Sequence, residues 1–234
     1  MKTKLKRRII KALIYVPLFC LFTSLAAIIV FRFVPVPCTP LMALRSFEHR
    51  KDTTCHIRKE WKPLHEISPE LVMAVMIAED IWFFKHKGFD WEAIRKTRRA
   101  HTVGKKLNGA STISQQTAKN VFLLPNRSWI RKGLEVYFTV GIEWIWGKER
   151  ILEVYLNVIE MGTGIFGAEA VAQYYFQKPA RQLTAREAAL IAVCLPNPRQ
   201  RNPLSPTQEM ERRAAKIERI MDLLPIPAWL SKTE

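Results

Sequence analysis

Residues 12–31 carry no charge, and as a helix at 1.5 Å per residue they would measure roughly 30 Å, the thickness of a bilayer core. Residues 32–40 (Arg-Phe-Val-Pro-Val-Pro-Cys-Thr-Pro) read as a stiff, extended linker, because each proline pushes its predecessor away from helix. From residue 65 onward apolar positions recur at the helical period, each run opened by a capping residue: Ser68-Pro69, Asp90, Ser111, Ser128, Thr184-Ala-Arg-Glu187 and Ser205-Pro-Thr-Gln208. The pattern predicts helices over 69–85, 91–102, 112–122, 129–146, 148–160, 167–177, 185–195 and 206–223, with no convincing alternating strand. In the helix over 129–146, Leu134, Tyr137, Phe138, Ile142 and Ile145 form the expected buried stripe, with Glu135 at its margin. The expected class is all-α: a basic tail (1–11), a transmembrane anchor (12–31), a Pro-containing linker (32–64) and one domain (65–234).

Charge sets the orientation. Lys2, Lys4, Lys6, Arg7, Arg8 and Lys11 precede the apolar stretch and only Arg32 directly follows it, which places the N-terminus in the cytoplasm and the domain outside. A cleaved signal peptide is the rival reading, but the stretch is long for one and no Ala-x-Ala site follows. Much of the net charge of +16 therefore lies on the far side, most densely at Arg95, Lys96, Arg98, Arg99, Lys105 and Lys106. An exported, anchored domain meets anionic and phosphorylated lipids, so no nucleic acid partner is expected; a solvated basic loop is the alternative for this block. Cys38 and Cys55 share an oxidising compartment, where a disulfide between them is open, and no Cys or His cluster has metal-ligand spacing.

Candidate chemistry begins at Ala78-Glu79-Asp80-Ile81-Trp82-Phe83-Phe84-Lys85-His86. Glu79 ends an apolar run, where burial would raise a carboxyl pKa as a general base near neutral pH requires. On a continuing helix Glu79, Phe83 and His86 share a face and Asp80 looks elsewhere; the alternative is a structural Glu79 paired with His86. Ser111, Thr112, Gln116, Lys119 and Asn120 form a second constellation, with Thr112, Gln116 and Lys119 on one face and free N–H groups at the helix start suited to a phosphate or sugar. Arg127, Arg131 and Lys132 follow, then Glu135, for which a salt bridge to Arg131 is the structural alternative. Gly162-Thr-Gly164-Ile-Phe-Gly167 matches a dinucleotide fingerprint but follows a helical pattern, so it is read as a tight helix-to-helix crossing.

These motifs, with Lys148, Ile151-Leu-Glu153-x-Tyr155-Leu-Asn157 and Glu187-Ala-Ala-Leu190, resemble in order and spacing those of the family 51 glycosyltransferases, which polymerise lipid II into peptidoglycan. The resemblance covers residues 65–205 and is closest to the monofunctional members; no Ser-x-x-Lys followed by Lys-Thr-Gly, the transpeptidase signature, occurs. It implies a lysozyme-like, two-lobed α fold whose smaller lobe dips into the membrane, here through Phe122, Leu123, Leu124, Trp129 and Ile130. It implies Glu79 as catalytic base and Glu135 as second essential glutamate. Ser111, Thr112, Gln116, Lys119, Arg127 and Lys132 would hold diphosphates and sugars, with Asp80, Phe83 and His86 in support. No cofactor is demanded; Glu135 would either orient the cations or bind a divalent ion, Mg or Mn, bridging the phosphates. The partners implied are lipid II, the growing glycan chain, the membrane and other cell-wall synthesis or division proteins, at the inner membrane with the domain in the periplasm.

Overall fold

The computed structural model describes residues 2–48, 56–102, 110–126 and 128–231. Helix α1 (Lys2–Phe33) includes the apolar span Leu13–Phe33, of mean hydropathy 2.5, long and apolar enough to cross a membrane. Residues 35–39 form no regular element, and the remainder of the expected linker holds helix α2 (Pro40–Glu48), strand β1 (Arg58–Lys59) and a 3-10 turn (Leu64–Glu66). There follow α3 (Pro69–Glu79), α4 (Trp91–Thr102), α5 (Ile113–Phe122), α6 (Trp129–Ile145) and α7 (Lys148–Val158). Strands β2 (Glu160–Gly162) and β3 (Ile165–Phe166) lead into α8 (Ala168–Val171), a π turn (Ala172–Phe176) and a 3-10 turn (Ala180–Gln182). Helices α9 (Ala185–Cys194), α10 (Gln208–Leu223) and α11 (Ala228–Ser231) complete the chain.

Two packed groups of helices result. In the first, α3, α9 and α10 pack on one another; Leu71, Val72, Met73, Ala74 and Val75 are all buried, as is the run of α9 from Ala188 to Cys194. Such an element, apolar on every side, needs neighbours all round. In the second, α5 packs on α6 and α7, with Phe122 stacked on Phe138 at 4.4 Å between ring centroids. Buried Tyr155 and Phe83 fill the space toward the cleft between the groups.

The all-α class stands, with local departures. The helix over 69–85 stops at Glu79, because Asp80 turns into extended backbone and residues 81–85 form turns. Glu79, Phe83 and His86 therefore do not share a helical face. The helix over 148–160 ends at Val158, and the glycine-rich segment is a β-hairpin instead of a helix crossing. It belongs to a three-stranded sheet of order β1-β3-β2, too short for alternation to show in the sequence. Gly167 has φ +86, and a Cβ there would meet the Asn157 carbonyl oxygen at 2.8 Å, which explains the third glycine without a nucleotide. The helix over 167–177 is a single α turn continued as a π turn.

Helix α6 buries most of the expected stripe, with Phe138 and Ile142 in the core and Tyr137 and Ile145 packed against it, but Leu134 turns outward and Glu135 inward. Glu135, Phe138, Thr139 and Ile142 are buried, whereas Leu134 is 44% exposed and Trp129 and Trp144 are each 92% exposed. The helix also carries apolar residues on its other side, so periodicity found the buried face but not its margin, where Leu134 and Glu135 exchange places. Similarly Leu123 turns inward, so the exposed apolar surface here is carried by Leu124, Trp129, Ile130, Leu134, Val140 and Trp144.

Helix α1 docks on this domain. Ser24 Oγ and Tyr137 OH are 2.9 Å apart, Ile28 is fully buried, and Trp146 Nε1 donates to the Ile28 carbonyl at 2.6 Å. Arg150 donates to the carbonyls of Phe31 (Nη2, 2.9 Å) and Val34 (2.7 Å), satisfying groups that a helix C-terminus leaves open. A Cβ on Gly141 would lie 2.7 Å from Ile28 Cδ1, while one on Gly133 meets nothing within 4 Å. Gly141→Val is expected to wedge α1 from α6 and cost about 1–3 kcal/mol, and Gly133→Ala to be neutral or to gain up to about 1 kcal/mol. Denaturant unfolding of both variants in micelles checks the contrast.

Candidate active site

Because α3 ends at Glu79, that side chain leaves the last turn of a buried helix and enters the cleft between the two helix groups. Gln116 Nε2 donates to Glu79 Oε2 at 2.7 Å, and Tyr155 OH donates to Gln116 Oε1 at 3.1 Å. The tyrosine thereby fixes which way the amide points. Burial raises the Glu79 pKa from its ordinary value; the Gln116 bond and the Lys119 charge oppose the rise, and Asp80 adds to it. Burial also lifts the Tyr155 pKa well above its ordinary value, so the hydroxyl stays a donor.

Asp80 is buried and serves the scaffold. Its Oδ2 accepts from the Ile113 N–H at 3.0 Å, and both oxygens lie 3.0 Å from His86 Nε2. His86 thus pairs with Asp80 and not with Glu79. Phe83 is fully buried, with Lys148 Nζ 4.4 Å from its ring centroid. Thr112 is the N-cap of α5: it accepts from the Gln115 N–H at 3.2 Å and donates to the Gly88 carbonyl at 2.6 Å. The first N–H groups of α5 are therefore taken by Asp80 and Thr112, and its N-terminus is not the vacant anion cradle that the sequence suggested.

The cations gather on the other side of Glu79. Lys119 lies within electrostatic reach of both Glu79 and Glu135, and burial lowers its pKa while those two acids hold it up. Glu135 is 3% exposed; its Oε2 accepts from Arg131 Nη1 at 2.6 Å and its Oε1 pairs with Lys132. The salt bridge to Arg131, the structural alternative for Glu135, is present, and a second one joins it on the same carboxylate. Arg131 Nε is buried without a partner among the described residues. Ser111 stands exposed beside Glu79, Asn120 is buried in α5, and Arg127 lies outside the described residues. Cys38 is free and exposed; Cys55, expected as its partner, also lies outside the described residues.

Glu79, Ser111 and Gln116 line a cleft of about 800 Å³ whose opposite wall is built by α9 and α10. That wall includes Arg201, Arg213 and Lys216, which sequence reasoning did not single out. Arg213, Lys216, Ile217 and Ile220 recur at i, i+3, i+4 and i+7, the signal that could have joined them to one surface.

A buried acid facing a cluster of cations, on an all-α domain behind a membrane-length helix, is equipment for transferring a group away from an anionic carrier. The chain belongs to the transglycosylase family, whose model matches residues 48–222. It is 48% identical over 223 residues to a biosynthetic peptidoglycan transglycosylase of Bdellovibrio bacteriovorus, covering 94% of this chain and 88% of that one. Proteins of the same name from Rhodospirillum centenum (51% over 194 residues, 83% and 82% covered) and Bacteroides thetaiotaomicron (49% over 212 residues, 89% and 84% covered) are similar to it.

The raised pKa of Glu79 has a consequence for stability. The folded state binds this proton more tightly than the unfolded chain, so the stabilisation is full below the ordinary value of 4.5 and is lost as pH rises through the folded pKa. Glu79→Gln is therefore expected to be more stable than wild type at neutral pH, with the difference closing toward pH 4. Thermal unfolding of the two proteins across that range measures it.

Proposed function

We propose that the chain polymerises lipid II into β-1,4-linked glycan, with Glu79 as the base and a cationic clamp on the leaving diphosphate. Glu79 accepts the proton of the acceptor's 4-hydroxyl as that oxygen bonds to the donor's anomeric carbon from the face opposite the diphosphate. The bond from that carbon to phosphate oxygen breaks, its electron pair leaves with the polyprenyl diphosphate, and the configuration inverts. A base of raised pKa suits this step, because it holds the proton better as the bond forms. Diphosphate is a good leaving group and needs positive charge more than a general acid; Lys119, Lys132 and Arg131 offer that charge, with Arg127 assigned to the same clamp.

The observation that carries this reading is the occupation of the two other acids. A hydrolase acting on a poor sugar leaving group needs a second carboxyl free to donate a proton. Asp80 is committed to Ile113 and His86, and Glu135 to Arg131 and Lys132. Glu135 accordingly acts by holding the two cations in place. The exposed Trp129, Ile130 and Trp144 on the same helix support burying this flank in the bilayer, with α1 as a single span, the N-terminus cytoplasmic and the domain periplasmic.

Glu79→Gln should reduce polymerisation of lipid II by about 10² to 10⁴ while the fold is kept, as followed by release of lipid diphosphate. Near wild-type turnover in a folded variant would remove Glu79 from the role of base. The Gln116 bond lowers the Glu79 pKa, so Gln116→Ala should move the acidic limb of the kcat/KM profile to higher pH. A limb that stays in place while activity falls would show that Gln116 acts on the substrate and not through Glu79.

A further inference from the structure

Two banks of cations stand about Glu79, one reaching it through Lys119 and one lining its cavity, and the proposed chemistry uses the first. The bank formed by α5 and α6 holds Lys119, Arg131 and Lys132, and α6 is the helix against which α1 is packed. The other bank, on α10 and the segment before it, brings Arg201, Arg213 and Lys216 to the cavity that contains Glu79. Glu79 is the one acid among the residues lining that cavity. Lys216 has no ion pair or hydrogen bond among the described residues. Arg213 is held by Glu209 at 2.6 Å, and Arg201 donates to the Val193 carbonyl at 2.6 Å near the end of α9. Such a bank is suited to an anion arriving beside the base and separate from the departing diphosphate.

We propose that Arg201, Arg213 and Lys216 form a second anionic subsite, which takes the carboxylates of the stem peptide carried by the incoming disaccharide and favours substrates whose peptide acids are free. This rests on the glycosyltransferase reading and adds a substrate feature to it. Two anions on such a substrate compete for the bank, the peptide carboxylates and the diphosphate, and the layout decides between them. The diphosphate is chained to the bilayer, and the membrane-length helix packs on α6, so the diphosphate belongs at the near bank. Helix α10 rests on α9 and α3, at the far side of the cleft, where a peptide extending away from the lipid can reach. The cations stand on a half-open surface, so each contributes a few-fold in affinity rather than an all-or-none requirement.

The test uses the full-length chain in micelles and the double variant Arg213→Ala/Lys216→Ala, leaving Arg201 in place because it also caps α9. Three substrates are compared: lipid II with free peptide carboxylates, the same lipid with those groups amidated, and the lipid-linked disaccharide without peptide. The variant is expected to raise KM for the free-acid substrate on the order of five-fold with kcat changed less than two-fold, and to lose that penalty on the other two. An equal penalty on the substrate without peptide would assign the bank to the diphosphate and overturn the proposal, as would no penalty on the free-acid substrate. Binding of soluble N-acetylmuramoyl pentapeptide, titrated by NMR line broadening, is read without turnover. Wild-type binding that the variant loses supports the subsite even if no lipid II is polymerised, a result that would count against the proposed function alone; equal binding by both proteins, or none by wild type, would overturn the subsite.

Discussion

The site depends on where α3 stops. Asp80 leaves the helix and offers its carboxylate to the first N–H of α5 and to His86, and this one side chain joins the end of one helix to the beginning of another. A buried carboxylate so placed is costly unless its oxygens are satisfied, and here they are. With the two helix ends clamped, Glu79 and Gln116 have no freedom to separate, and Tyr155 behind them settles the orientation of the amide. Glu79 is thus positioned by its neighbour in sequence, whose own carboxylate is taken by Ile113 and His86.

Charge in the cleft is distributed rather than paired off. Glu135 neutralises part of Arg131 and Lys132 but also holds both of them, and Lys119 is within electrostatic reach of that cluster and of Glu79. The excess is positive, and an anionic carrier entering would replace the water lost by these side chains. The partial burial of Lys119 makes its charge more effective toward a ligand than a surface lysine would be, because fewer water dipoles screen it.

The membrane-length helix is part of the domain's packing. Ile28, the Ile28 carbonyl and the end of α1 are used by Gly141, Trp146 and Arg150, all from the elements that carry or adjoin Glu135. Helix α1 therefore constrains how α6 stands, and α6 carries Arg131 and Lys132.

Features that depend on neighbours in sequence were legible in it. Capping residues and apolar spacing located most of the helices, because an N-cap such as Ser68, Ser128 or Thr184 acts within three residues of itself. The uncharged stretch gave the membrane-length helix, and the apolar run ahead of Glu79 announced a buried acid. The tertiary structure decided what depends on contacts between distant residues. It ended α3 at Glu79 through Ile113, turned Glu135 inward on a helix with two apolar faces, and gave the Thr112 hydroxyl to Gly88 in place of a ligand. It also brought α10 to the cavity of Glu79, more than a hundred residues away in the chain. Local spacing carries no information about which face a neighbour will cover, since that is settled by the free energy of packing the whole chain at once.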